Sequence, residues 1–162
     1  MSTLSSPPLK ERWFDDYRVG EVFEFGDRLV TAEEIIEFAQ RYDPQPFHVD
    51  VDAAASSSFG GLVASGWMTA SLLMREMCDH FISPRSAMGS PGFEEVRWPR
   101  PVRPGDRLRA RVTIAGCRPS LSKPDRGVIT LRQEVFNQAG ELVMSLSGNA
   151  MVRRRPEIES VK

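Results

Sequence analysis

Val63-Ala64-Ser65-Gly66-Trp67-Met68-Thr69-Ala70-Ser71-Leu72-Leu73-Met74-Arg75-Glu76-Met77-Cys78-Asp79-His80-Phe81 carries a helical period. Val63, Trp67, Ala70, Met74, Met77 and Phe81 recur alternately at four and three residues, which predicts one helix with a wide buried stripe. The small residues Ala64, Gly66, Ala70 and Ser71 let neighbouring backbone approach closely. This segment is expected to be the central helix.

On the C-terminal side, after the turn-rich stretch from Ser83 to Gly92, the period changes to two. Leu108, Ala110, Val112 and Ile114 alternate with polar or charged residues, as do Ile129, Leu131 and Val135, and then Leu142, Met144 and Leu146. Asn137-Gln138-Ala139-Gly140 fits a hairpin connection between the last two runs. The second half therefore predicts an antiparallel meander with one wet and one dry face.

On the N-terminal side, Glu21 to Val30 reads as a strand, and Thr31-Ala32-Glu33-Glu34 has the form of a capping box with Thr31 as N-cap. Ile35, Phe38, Ala39 and Tyr42 continue as one helical face, which must stop near Asp43 because Pro44 follows. Pro44 to Gly61 reads mostly as loop, with one short helical turn at Ala53 to Ala55. One long helix plus an antiparallel sheet of about five or six strands is an α+β arrangement in which the sheet wraps the helix, the hot-dog fold. The expected organisation is a flexible N-terminus over 1–12, a single domain over 13–153 and a flexible tail over 154–162.

Composition narrows the function classes. With 162 residues the chain is long enough for one core without disulfides or metal. Its 21 basic and 22 acidic residues nearly cancel, so it has no global signature of a nucleic-acid or membrane-surface partner. Cys78 and Cys117 lie in no redox or zinc-ligand spacing and read as reduced and structural. The first ten residues lack the apolar core of a signal peptide, and no run approaches the about 18 apolar residues of a spanning helix. Cytoplasmic localisation is the expectation.

Chemistry concentrates in Asp43-Pro44-Gln45-Pro46-Phe47-His48-Val49-Asp50, which places an acid and an imidazole five residues apart on a proline-stiffened turn. The Val63-Ala64-Ser65-Gly66 helix start that follows could hold a developing negative charge. Taken alone, Asp43-Pro44 is an ordinary turn signal, His48 a satisfied half-buried histidine and Gly66 a packing glycine. His80 reads as such a structural histidine, and Asp50 as a cap or loop residue.

These segments, together with Tyr17-Arg18-Val19-Gly20-Glu21, Arg97 to Asp106 and the final hairpin, resemble the MaoC-like hydratase/dehydratase family, whose best-known members are (R)-specific enoyl-CoA hydratases. The family pattern is Asp-x-Asn-Pro-x-His, followed by Ile-Ala-His-Gly at the start of the central helix. The resemblance implies a lyase that hydrates trans-2-enoyl-CoA to (R)-3-hydroxyacyl-CoA, or runs the reverse dehydration. It makes Asp43 and His48 the catalytic dyad, with acid and base roles left open, and Gly66 the backbone oxyanion donor. No metal or redox cofactor is implied, coenzyme A entering as part of an acyl-CoA substrate, and at least a homodimer is expected.

Gln45 stands where the family has asparagine, Ser65 where it has histidine and Tyr42 where it commonly has glycine. Gln45, Phe47, Trp67 and Met74 are expected to shape a different acyl tunnel. Arg97, Arg100, Arg103, Arg107, Arg109 and Arg111 read mainly as a solvated strand face, with one or two expected at coenzyme A phosphates. A hot-dog acyl-CoA thioesterase and a non-catalytic acyl-CoA-binding module remain alternatives.

Overall fold

The structure, a computed structural model, describes residues 6–156 of the chain. Strand β1 (Val22–Leu29) leads into helix α1 (Ala32–Tyr42), followed by two short helices, α2 (Pro46–Val49) and α3 (Val51–Ala55), and by helix α4 (Gly66–Glu76). Strands β2 (Gly92–Arg97), β3 (Arg107–Pro119), β4 (Arg126–Phe136) and β5 (Leu142–Arg153) complete the chain. All pairings are antiparallel, in the order β1-β3-β4-β5-β2. The sheet curls around α4, giving the hot-dog architecture that the change of period predicts. Among the described residues, no helix is long and apolar enough to cross a membrane.

The local signals upstream of the site are realised in full. The Thr31 hydroxyl accepts from the Glu34 N–H while the Glu34 carboxylate accepts from the Thr31 N–H, so α1 starts on a closed capping box. The Asp43 N–H bonds back to the Ala39 carbonyl, and α1 ends there. In the β4–β5 turn the Asn137 side chain accepts from the Ala139 and Glu141 N–H groups, and Gly140 takes φ +74°.

The loop after Asp43 holds more helix than its sequence suggests. Pro46 begins α2 at the position where its missing N–H costs no hydrogen bond. The Asp50 carboxylate accepts from the N–H groups of Asp52 and Ala53, capping α3 as its assignment to a cap anticipates.

The phase of the central helix differs from the predicted stripe. Ser65 caps the helix through its hydroxyl, so α4 begins at Gly66. Val63 and Ala64 precede it as extended chain, their N–H groups donating to the carbonyls of Phe47 and Val102. The buried face is Met68, Thr69, Leu73, Met77 and Phe81, whereas Trp67 is 61% exposed and Met74 43% exposed. Apolar residues occupy nearly every face of this helix, so spacing alone admits two phases, and the cap selects between them. Past Glu76 the helix widens into a π turn over Met77–Phe81 that keeps Met77 and Phe81 buried.

Beneath this face lie Val112, Ile114, Ile129, Leu131, Val135, Met144 and Leu146, the inward positions of the meander. Within the span read as an N-terminal end, Arg12 is buried, paired with Glu21 at 3.0 Å, and lies over the Tyr17 and Phe23 rings. Arg154 and Arg155 pair with Asp15 and Asp16. The remainder of the expected flexible ends, 1–5 and 157–162, lies outside the described residues.

The revised phase is testable by paired truncations. Leu73→Ala should destabilise the fold by about 3 kcal/mol in urea unfolding. Met74→Ala should cost under about 1 kcal/mol; equal losses would restore the sequence-based stripe.

Candidate active site

The predicted dyad assembles from two consecutive elements. Asp43 sits at the exit of α1 and His48 within α2, and the intervening prolines turn the chain so that Asp43 Oδ2 lies 3.4 Å from His48 Nε2. The His48 side chain is 7% exposed and that of Asp43 17%, so the pair is largely enclosed.

The other imidazole nitrogen is committed. His48 Nδ1 lies 2.6 Å from the Val63 carbonyl oxygen, which can only accept, so Nδ1 carries the hydrogen. In the neutral ring Nε2 is therefore the atom with the lone pair, and it faces Asp43. Phe47 packs edge-on against the His48 ring at 4.5 Å.

Asp43 is held by more groups than the sequence indicates. Burial pushes its carboxyl upward, but hydrogen bonds from Ser65 and Gln45 and the nearby His48 outweigh it, so the group lies below the ordinary carboxylate value. Gln45 Nε2 donates to Asp43 Oδ1 at 2.7 Å, leaving Oδ2 toward the imidazole. Ser65 is fully buried; its hydroxyl both accepts from the Trp67 N–H and donates to Asp43. Ser65 is thus part of the site. Its position directly before a helix glycine is a legible cap signal, but nothing in the sequence tells that the same hydroxyl reaches Asp43.

Gly66 opens α4 at its first helical position, and no acceptor among the described residues takes its N–H. A β-carbon at Gly66 would sit 2.6 Å from the Trp98 indole, so only glycine fits beneath that ring. Trp98 meets Trp67 edge to face at 5.3 Å, and the two indoles form one wall of the cleft.

This cleft, of about 390 Å3, brings Asp43, His48 and Gly66 together with Gln45, Phe47 and Trp67. Met74, expected in the same tunnel, is absent from it, because the shifted helix phase turns it elsewhere. Tyr42 is exposed outside the cleft and packs on Phe38. Of the six arginines only Arg100 lines the cleft, where it also pairs with Glu141 at 3.4 Å. Arg97, Arg107 and Arg111 pair with Glu95, Asp27 and Glu24 on the exposed strand face. His80 lies at the far end of the central helix, 3.2 Å from Glu76. Both cysteines are free, Cys78 exposed and Cys117 partly buried.

An ionised carboxylate and an imidazole lone pair at this separation can hold one water between them, beside a free helix N-terminal N–H able to receive negative charge. Such an arrangement can move a proton from water to a neighbouring carbon.

Known proteins are similar to this chain in sequence and in fold. Residues 16–134 match the model of the MaoC like domain. The crystal structure of a MaoC-like dehydratase from Rhodospirillum rubrum is similar, with a TM-score of 0.84 and 40% identity, over 90% of this chain and 99% of that one. An (R)-hydratase from A. caviae superposes with a TM-score of 0.62 and 26% identity, over 86% of this chain and 98% of its own. Mesaconyl-CoA hydratase from Cereibacter sphaeroides is 32% identical over 152 residues, covering 89% of this chain; the chain spans 42% of that relative's length.

The hydrogen-bond cage makes a directional prediction. With its folded value depressed, Asp43 stabilises the protein at pH above the unfolded aspartate value, and that contribution disappears as pH falls through the folded value. Carboxyl NMR titration should place the Asp43 midpoint below that of unfolded aspartate, and Ser65→Ala and Gln45→Leu should each raise it. An unmoved midpoint in both variants would show that neither group holds the carboxylate.

Proposed function

This chain belongs to the MaoC-like hydratase/dehydratase family, and from that premise we propose that it hydrates trans-2-enoyl-CoA thioesters to (R)-3-hydroxyacyl-CoA, or catalyses the reverse dehydration. The observation that carries the reading is the 3.4 Å approach of Asp43 Oδ2 to His48 Nε2 in a cleft shared with the free N–H of Gly66. The (R)-hydratase from A. caviae and the mesaconyl-CoA hydratase support hydration of a thioester as the reaction class.

In the hydration direction, the dyad takes a proton from the water it holds, and the hydroxide oxygen bonds to C3 of the substrate. The C2=C3 electron pair moves toward the thioester carbonyl, whose oxygen gains negative charge against the Gly66 N–H and the α4 dipole. The dyad then returns a proton to C2, and the thioester carbonyl re-forms. Water is added across the double bond and no electrons are exchanged with a cofactor. The Val63 carbonyl keeps Nε2 as the exchanging nitrogen throughout.

The active form in this proposal is a homodimer. The outer edge of β2 is unpaired in the sheet order, and Phe93, Trp98 and Trp67 expose large apolar surface, as an edge awaiting a second copy would. Sedimentation at micromolar concentration should give a dimer, and a stable monomer would overturn this part.

The reaction is tested by following loss of conjugated-thioester absorbance for short, medium and branched trans-2-enoyl-CoAs, with chiral analysis of the product. Asp43→Asn and His48→Gln should each lower kcat/KM by at least about 100-fold. Undiminished hydration in both variants would remove the dyad from the mechanism. Release of free thiol without loss of the double bond would favour thioester hydrolysis.

A further inference from the structure

A second cavity, of about 180 Å3, lies between the end of the central helix and strands β4 and β5, with Met77, Phe81, Ile129 and Leu131 on its wall. Most polar groups around it are satisfied by the protein. Ser86 donates to the Arg12 carbonyl at 2.6 Å, Ser90 to the Asn149 carbonyl at 2.6 Å, and Asn149 Oδ1 accepts from Thr130 at 2.8 Å.

Two groups on the same wall are not satisfied. Ser83 Oγ and Gln133 Oε1 have no hydrogen-bond partner among the described residues, although Ser83 is 2% exposed and Gln133 3%. Gln133 occupies an inward register position of β4, between the buried Leu131 and Val135, where the alternation calls for an apolar residue. A buried polar atom without a partner costs stability, and a bound group that supplies the missing hydrogen bond removes that cost.

The cavity lies further along the same helix as the cleft, with Met74 and Met77 on its wall, whereas Gly66 opens onto the cleft. Met77 follows Gly66 by eleven residues, which returns it to within about 20° of Gly66 around the helix, and Met74 stands about 12 Å along the axis from Gly66. A thioester oxygen at the Gly66 N–H would direct the far part of its acyl group along this stripe.

Charge within the cavity limits what that part can be. No lysine, arginine or histidine among the described residues lines it. Burial pushes the Tyr17 hydroxyl up to about 12, so that group stays neutral. A carboxylate would be desolvated there without a counter-charge. A neutral hydroxyl can donate to Gln133 Oε1 and accept from Ser83 Oγ.

We propose that Ser83 and Gln133 are specificity-determining residues that select acyl groups carrying an uncharged hydrogen-bonding substituent, in the simplest case a hydroxyl, at the end distant from the thioester. This rests on the hydro-lyase reading of the Asp43–His48 cleft and names the substrate class for it.

The test uses pairs of trans-2-enoyl-CoAs of equal length, one plain and one bearing a hydroxyl on the distal carbons, and pairs of their saturated analogues for calorimetric binding. The wild-type protein should favour the hydroxylated member by at least about tenfold in kcat/KM and in affinity. Gln133→Leu should abolish that preference by improving use of the plain member, and Ser83→Ala should reduce it. Should Gln133→Leu fail to fold, Ser83→Ala reads the same preference. Equal use of both members by the wild type, a preference that survives substitution, or binding of neither compound overturns the inference. Hydroxyl-selective binding without hydration would uphold the selectivity and overturn only the hydro-lyase reading.

Discussion

The bond from His48 Nδ1 to the Val63 carbonyl, 2.6 Å long, is the constraint on which the site depends. It joins the proline turn after α1 to the extended segment that launches α4, so it helps to place Asp43 and His48 relative to Gly66. Because a carbonyl cannot donate, the same contact fixes the imidazole tautomer. The Val63 N–H, donating to the Phe47 carbonyl, stitches the same two segments again. Neither acceptor would attract notice in the sequence, since both are backbone carbonyls.

That difference explains which parts of the molecule can be read from residues alone. The capping box at Thr31, the stop at Asp43 and the Asn137–Gly140 turn are set by short-range hydrogen bonds between neighbours, and each is found where its residues predict it. The alternation of β3 is equally direct, since Leu108, Ala110, Val112 and Ile114 all point inward. The phase of α4 was not legible, because apolar residues surround that helix and the deciding signal is a single serine cap. The pairing of Asp43 with His48 follows from the turn and was anticipated; the reach of Ser65 to Asp43 joins residues separated by two short helices and was not. Gln133 escaped for the opposite reason. A polar residue in a strand reads as solvent-facing until register places it in the core.

Asp43 shows how substitutions at the edge of a motif are absorbed. Glutamine in place of asparagine and serine in place of histidine leave the carboxylate with two donors, the Gln45 amide on Oδ1 and the Ser65 hydroxyl. Both favour the ionised form against burial. The indole of Trp98 lies over Gly66 in the same cleft, so the glycine is required by a neighbour's bulk as well as by access to its N–H.

The strand order has a consequence for how the chain reaches this state. β3, β4 and β5 are joined by local hairpins, but the two edges of the sheet, β1 and β2, come from segments that precede the meander, and Val22 pairs with Thr113 across roughly 90 residues. Such closures are entropically slow, and they characterise domains that refold in milliseconds to seconds. The loop bearing Asp43 and His48 lies between those two edge strands in the chain. His48 and Val63 are only 15 residues apart, so their contact is local in the chain, whereas the sheet that supports α4 is complete only once both distant edges have closed.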